Sequence, residues 1–205
     1  MTAAPAEPYV RDRYSAVAKA LEAALYCPVD YDSQYLDPIP DEIIDKDYGC
    51  GEPLHYVSKD DTVLDLGSVG GKSFYIASQI VGSEGQVIGV GTLALAHKHQ
   101  QTIVSQLGYD NVQFYRDRIQ DRRLDRDRLD SWLRLNSITD EVSLCAFEEF
   151  SSQQKRNEPL IADNLVGVVI SNCVVNLVNV AEAAIAAANA GSLPDQAAAR
   201  EHLAM

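Results

Sequence analysis

The sequence predicts an α/β fold in which helices cover both faces of a doubly wound, mostly parallel sheet. An apolar strand pattern, Thr62–Leu66, runs into a glycine-rich turn and then into a helical pattern, Lys72–Val81. Strand and helix patterns alternate from there to residue 115. A later continuous apolar run, Val166–Ser171, is typical of a strand covered on both faces. Such alternation favours parallel strands joined by right-handed crossovers.

The alternating part of the chain contains strands of similar length separated by two helices. The second helix has apolar residues available to face a core, and Gly108 ends it. The predicted strands are Thr62–Leu66, Gln86–Val90, Asn111–Tyr115 and Val166–Ser171, and the predicted helices are Lys72–Val81 and Thr92–Leu107.

The N-terminal part, residues 1–47, is predicted to be a helix followed by a loop. Tyr9–Tyr26 has apolar residues at helical spacing, and Cys27-Pro28 ends that pattern because proline cannot continue the hydrogen-bond ladder. Val29–Pro40, rich in Asp, Tyr and Pro, is predicted to be an ordered loop, and Asp41–Asp47 a short helix that leads into the main domain, residues 48–178.

Two segments do not fit the minimal alternating pattern. Arg116–Leu160 is a long, charged, helix-biased insertion whose Leu124, Leu129 and Leu133 could form an apolar edge. We interpret the insertion as a cap or lid, with a solvated helical hairpin as the alternative. Residues 179–205 are alanine-rich and are predicted to form a helical tail. No fifth strand pattern follows the fourth, so the sheet is predicted to be incomplete at its C-terminal side.

Composition excludes several classes of partner. At 205 residues the chain can bury one sizeable core. Its net charge of −13 repels nucleic-acid phosphates and anionic lipid. Residues 1–9 lack the features of a secretory signal, and no apolar stretch is long enough for a membrane span, so a cytoplasmic protein is expected. The four scattered cysteines are expected to be free thiols, and Cys145 to be a small buried hydrophobe.

The turn Asp65–Gly71 (DLGSVGG) lies where a strand leads into a helix. Glycine tolerates positive φ and lets the backbone approach a ligand, and the helix N-terminus offers free N–H groups to an anion. The sequence lacks the GxGxxG pattern of dinucleotide enzymes and has Gly91 where their acidic residue is expected, which argues against an NAD-dependent oxidoreductase. A tight turn without a ligand is the other interpretation.

Four short motifs occur in the order typical of one family. They are YGCG at Tyr48–Gly51, VLDLGS at Val63–Ser68, IGV at Ile88–Val90 and SNCVVNLV at Ser171–Val178. In this order they are similar to arsenite methyltransferases and their near relatives, over about residues 47–178. The resemblance implies an S-adenosylmethionine-dependent enzyme with the Rossmann-like class I methyltransferase fold, and it makes residues 48–178 the methyltransferase domain.

The resemblance also implies which residues surround the cofactor. Around the methionine part it implies Asp65, Gly67, Ser68, Gly70 and Gly71. It implies Thr92 and Leu93 near the ribose, Ile119 near the adenine, and Asn172 at the mouth of the site.

Cysteines supply the other half of the implied site. Under the resemblance Cys50 and Cys173 are ligands of trivalent arsenic, and Cys27 in CPVDYD is the candidate third ligand. Soft thiolates suit this soft acceptor, which makes arsenite, or a thiol conjugate of it, the expected small-molecule substrate. The alternative for these cysteines is simple packing in the core. The four histidines form no ligand-like cluster, and Tyr48 and Tyr56 are expected to be packed aromatics rather than residues of the entrance.

Three positions depart from the family pattern. Val69 stands at the central glycine of the turn, Gly91 at the acidic residue that binds the ribose, and Gly167 at an aspartate before the fourth strand. A β-branched residue at positive φ costs about 1–3 kcal/mol, and a lost charged acceptor about 1.5–3 kcal/mol. Two alternatives therefore stay open: a catalytically impaired or truncated methyltransferase-fold protein that binds a soft metal or arsenic through its cysteines, and a fragment completed by another subunit. The oligomeric state is left open.

Overall fold

The described part of the chain is built on a four-stranded parallel sheet. A computed structural model describes residues 31–44, 52–68, 71–92, 103–104 and 108–172. The strands are β1 (Thr62–Leu66), β2 (Gln86–Gly91), β3 (Val112–Arg116) and β4 (Val168–Ser171), in the spatial order β3-β2-β1-β4. All three strand pairs are parallel. The predicted fold class is confirmed.

The helices in the structure are mostly short. They are α1 (Ser33–Leu36), α2 (Asp41–Ile44), a 3-10 helix (Pro53–Tyr56), α3 (Lys72–Val81), α4 (Arg126–Leu135) and α5 (Glu141–Asn157). The bounds predicted for β1 and α3 agree with the structure, whereas β4 begins two residues later than predicted. The predicted helices Tyr9–Tyr26 and most of Thr92–Leu107, and the tail 179–205, lie outside the described residues.

One predicted loop contains a helix. Within Val29–Pro40, helix α1 begins after Asp32, whose side chain accepts a hydrogen bond from the backbone N–H of Gln34 at 3.1 Å. That N-cap stabilises a single helical turn that has no apolar periodicity of its own. Gln79 of α3 donates to the carbonyl of Tyr35 at 2.9 Å, which holds α1 against α3.

Apolar side chains cover both faces of the sheet. On the α3 face, Val63 of β1 and Val87 of β2 pack with Phe74, and on the opposite face Leu64 and Ile88 pack in a second cluster. Because successive residues of a strand point to opposite faces, a strand buried on both sides must be apolar throughout, as the sequence indicated.

The insertion contains the two longest stretches of charged helix. Helix α4 buries none of its residues, and α5 buries only Gln154. Trp132 of α4 stacks on Phe150 of α5 with the ring centroids 5.4 Å apart, so an aromatic contact joins the two helices. We call α4 and α5 the hairpin. The hairpin is largely exposed to solvent, and its role as a cap or lid stays a prediction.

Ion pairs attach the hairpin to the sheet domain. Arg116 at the end of β3 pairs with Asp127 at 2.8 Å and also with Asp130, both on α4. Lys155 of α5 pairs with Asp121 at 2.5 Å. The expectation for Cys145 was wrong: its side chain is exposed, because it lies on the mostly exposed, charged helix α5 instead of in the sheet core. No helix in the described residues is both long enough and apolar enough to cross a bilayer.

Gly89 of β2 allows two aromatic rings to meet. A Cβ built at this position would lie 2.9 Å from atoms of both Phe114 and Phe74, whose ring centroids are 5.2 Å apart in an edge-to-face arrangement. The absence of a side chain at position 89 is therefore a packing requirement.

We predict that Gly89→Ala lowers the free energy of unfolding by about 1–3 kcal/mol, because the methyl group forces the two rings apart. Gly91→Ala is the matched control: it lies two residues along the same strand, and its added Cβ would come no nearer than 3.9 Å to Phe114. Urea denaturation of both variants checks the prediction. Equal destabilisation by the two substitutions would contradict it.

Candidate functional site

The carboxyl ends of the strands converge at one edge of the sheet. In the register of β1, Leu66 lies beside Val90 of β2 and beside Ser171 of β4. The chain segments that follow these three strands therefore lie side by side. Ligands of open parallel sheets bind at such an edge, so we call it the cofactor edge.

The turn after β1 is shaped by two glycines with positive φ. Gly67 has φ 87°, and its N–H donates to the carbonyl of Val90 at 2.7 Å. Gly71 has φ 84° and immediately precedes α3. Ser68 is buried, and its hydroxyl donates to the carbonyl of Asp65 at 3.0 Å. The expected need for glycine is confirmed at positions 67 and 71, whereas Val69 and Gly70 lie outside the described residues.

Two buried charged side chains accompany this turn. Asp65 at the end of β1 is 4% exposed, and Lys72 in the first turn of α3 is 6% exposed. The Lys72 ammonium lies 4.6 Å from the centre of the Tyr31 ring, a cation–π contact that brings the N-terminal segment to the cofactor edge. Sequence reasoning singled out Asp65 but missed Lys72, whose position after the glycine turn was the available signal.

The end of β2 has room for a side chain. Gly91 does not have positive φ, and a Cβ built there would meet only Phe114, at 3.9 Å. Thr92, which follows it, is exposed. Nothing in the local backbone requires glycine at position 91. The departure from the family pattern is therefore a lost side-chain acceptor and not a steric necessity.

The end of β3 carries a buried carboxyl group that sequence reasoning missed. Asp117 is 1% exposed, and its N–H donates to the carbonyl of Gly91 at 3.0 Å. Burial raises the pKa of Asp117 to about 7. Ile119, two residues on, is buried in the cluster that contains Leu66 and Val90. The structure thus brings Ile119 to the cofactor edge.

The end of β4 is tied to β1. Ser171 donates through its hydroxyl to the carbonyl of Leu66 at 3.1 Å, and Asn172 follows it, half-buried. The structure therefore places seven of the predicted cofactor residues at the carboxyl ends of the four strands or in the segments that follow them. They are Asp65, Gly67, Ser68, Gly71, Thr92, Ile119 and Asn172.

The predicted arsenic ligands Cys27, Cys50 and Cys173 lie outside the described residues, as does Leu93. Over the ranges that the structure does describe, no group of three or more His, Cys, Asp or Glu side chains is arranged to hold a metal ion. The side chain of Tyr56 is 50% exposed, so the expectation that it packs in the interior is wrong. It lies on the short 3-10 helix, where its ring contacts that of His55.

No family model matches the sequence, but curated relatives do. An arsenite methyltransferase of Aquipseudomonas alcaligenes is 29% identical over 146 residues, which are 69% of this chain and 32% of the relative. An arsenite methyltransferase of Halobacterium salinarum is 31% identical over 63% of this chain and 24% of the relative. The human arsenite methyltransferase is 26% identical over 70% of this chain and 31% of the relative. The matches span about a third or less of these relatives' length.

A solved structure shares the fold. The arsenic(III) S-adenosylmethionine methyltransferase of Chlamydomonas reinhardtii superposes with a TM-score of 0.55 at 23% identity, covering 80% of this chain and 46% of that one. The likeness confirms the Rossmann-like methyltransferase fold. With the curated relatives, it confirms that this chain is similar to arsenite methyltransferases over about two thirds of its sequence.

Proposed function

We propose that the chain is an S-adenosylmethionine-dependent methyltransferase of the arsenite methyltransferase type. One observation carries the proposal: a turn with positive φ at Gly67 and Gly71 lies at the carboxyl edge of a parallel sheet, in a chain similar to arsenite methyltransferases. The net charge of −13 favours a small-molecule acceptor over a nucleic acid.

The residues of the cofactor edge suit S-adenosylmethionine. The glycines at positions 67 and 71 allow a close approach to the backbone, and the N-terminus of α3 offers N–H groups to the carboxylate of the methionine part. Thr92 follows β2, where the ribose is expected, and Ile119 offers an apolar side chain toward the adenine. When bound, this cofactor supplies an electrophilic methyl group on a sulfonium centre.

The acceptor half of the proposal rests on residue chemistry. Cys50, Cys173 and Cys27 would hold trivalent arsenic, introduced as arsenite or as a thiol conjugate, because soft thiolates are its preferred ligands. The arsenic lone pair would form the new bond to the methyl carbon that the cofactor supplies, and the electron pair of the broken carbon–sulfur bond would remain on sulfur. No proton is removed from arsenic, so the protein needs no general base and acts by proximity and orientation.

A second function is favoured by Gly91. Since the backbone there would accept a side chain and none is present, position 91 supplies no charged acceptor for the ribose hydroxyls of the cofactor. A chain that binds a soft metal or arsenic through its cysteines without transferring a methyl group is the corresponding alternative. Arsenite binding that persists without S-adenosylmethionine, together with no methylated product, would favour it.

The proposal predicts that the full chain binds S-adenosylmethionine with a dissociation constant on the order of tens of micromolar or tighter. Isothermal titration calorimetry measures it. The absence of binding would retire the enzyme proposal and leave the cysteine-binding alternative.

We predict that Gly91→Asp tightens S-adenosylmethionine binding by about ten- to hundredfold, because a carboxylate that accepts from the ribose hydroxyls adds about 1.5–3 kcal/mol. Gly91→Ala, which adds a Cβ in the same space without an acceptor, is the control and is expected to leave the affinity unchanged. The same titration checks both variants. An equal gain from alanine would point to backbone stiffening instead of hydrogen bonding.

We predict that Cys173→Ser and Cys50→Ser each abolish formation of methylated arsenic while S-adenosylmethionine still binds. Mass spectrometry of the arsenic products, with glutathione present, checks the first part, and calorimetry the second. Cys145→Ser is the matched control because that thiol is exposed on α5 in the hairpin. Full activity of Cys173→Ser would contradict its role as a ligand.

A further inference from the structure

Asp117 is a buried carboxyl group with incomplete hydrogen bonding. Its Oδ1 accepts from the backbone N–H of Arg118 at 2.7 Å. Its Oδ2 is buried and meets no hydrogen-bond donor in the part of the chain that the structure describes. Most buried polar atoms in native proteins are paired, so an orphaned carboxylate oxygen requires an explanation.

The charges that face Asp117 do not favour its ionised form. Arg126, the first residue of α4, brings its Nε to 3.8 Å from Oδ1, which is beyond hydrogen-bond distance. Two carboxylates also face it, Asp121 in the same turn and Asp125 at the N-cap of α4. On the side of β2, the carbonyl of Gly91 accepts a hydrogen bond from the backbone N–H of Asp117. Burial and two like charges thus outweigh the ion pair with Arg126 and the hydrogen bond from the backbone of Arg118.

Asp117 begins a turn that leads to the cofactor edge. The N–H of Asp117 donates to Gly91 of β2, and the N–H of Asp121 donates to the carbonyl of Arg118 at 3.1 Å, which closes the turn 117–121. Within the turn, Ile119 packs in the cluster that contains Leu66 and Val90. A shift of the turn would therefore move an apolar wall of the cofactor edge.

We propose that Asp117 is a positioning residue that holds the turn 117–121 against β2 in its neutral, protonated form. Ionisation places an unpaired charge in the interior, and the turn loosens so that the carboxylate can reach water. The effect on the cofactor rests on the proposed function, because it requires Ile119 to line the cofactor site. The effect of Asp117 on stability does not depend on the proposed function.

The pH dependence has a definite sign. An unfolded aspartate titrates near pH 3.9, whereas burial raises the pKa of Asp117 to about 7 in the folded chain. The folded state therefore binds more protons between these values. The contribution of this group to stability is greatest below about pH 4, falls as the pH rises to about 7, and is constant above that.

Substitution by asparagine imitates the neutral carboxyl group. Relative to the wild type, Asp117→Asn should become more stable as the pH rises, and the ratio of their unfolding equilibrium constants should change by up to about thirtyfold between pH 5.5 and 8. Urea denaturation at the two pH values measures it. An unchanged ratio would overturn the proposal.

Asp121→Asn is the matched control in the same turn. Although burial acts in the opposite direction, the hydrogen bond from Lys155 lowers the pKa of Asp121. Asp121→Asn should destabilise the chain at both pH values, and because it also removes a like charge that faces Asp117, its stability relative to the wild type should rise with pH much less than that of Asp117→Asn. A direct titration of the wild-type Asp117 carboxyl carbon by NMR does not depend on any variant: a midpoint near 7 supports the proposal, and one near 4 overturns it.

The cofactor half is tested by calorimetry with S-adenosylmethionine at the same two pH values. The wild type should bind more weakly at pH 8 than at pH 5.5, relative to Asp117→Asn; comparing the two proteins cancels titration of the cofactor itself. Binding with the same pH dependence in both would overturn the positioning role. No binding in either would contradict the proposed function, while the NMR and unfolding results still decide whether Asp117 acts as a neutral group.

Discussion

The structure depends on β1 being hydrogen-bonded to a parallel strand on each side. That register brings Val90 of β2 and Ser171 of β4 to the level of Leu66. Because β1 is also buried on both faces, a shift by one residue would exchange the side chains of the two cores. The register of β1 therefore fixes the position of the glycine turn that follows it. Every other part of the cofactor edge is positioned relative to it.

Among the described residues, three hydrogen bonds to strand carbonyl groups fasten the chain at this edge. Gly67 donates to β2, Asp117 donates to β2, and Ser171 donates to β1. The first two contacts join backbone groups and do not depend on side-chain identity, whereas the third requires the hydroxyl of Ser171. A ligand that binds here meets a framework formed before it arrives, which reduces the ordering cost of binding.

The strands and the glycine turn could be predicted because their signals are local: an apolar run covered on both faces, followed by a residue type that tolerates positive φ. Helix α1 could not, since a single turn held by the Asp32 cap has no apolar period. The exposure of Cys145 and the burial of Asp117 depend on which charged segment packs on which edge. Within the run of Asp and Arg after β3, the sequence contains no sign of which carboxylate the fold will cover.

The two parts of the molecule are held by different forces, and they should respond differently to their surroundings. The sheet domain is stabilised by apolar burial, whereas the hairpin is held largely by ion pairs of partly exposed residues such as Arg116 and Lys155. Exposed pairs contribute little individually and are screened by dissolved ions. We therefore expect the hairpin to open at a lower free-energy cost than the sheet domain. We expect changes in its length and sequence to be tolerated, except at contacts such as those of Arg116 and Lys155 that attach it to the sheet domain.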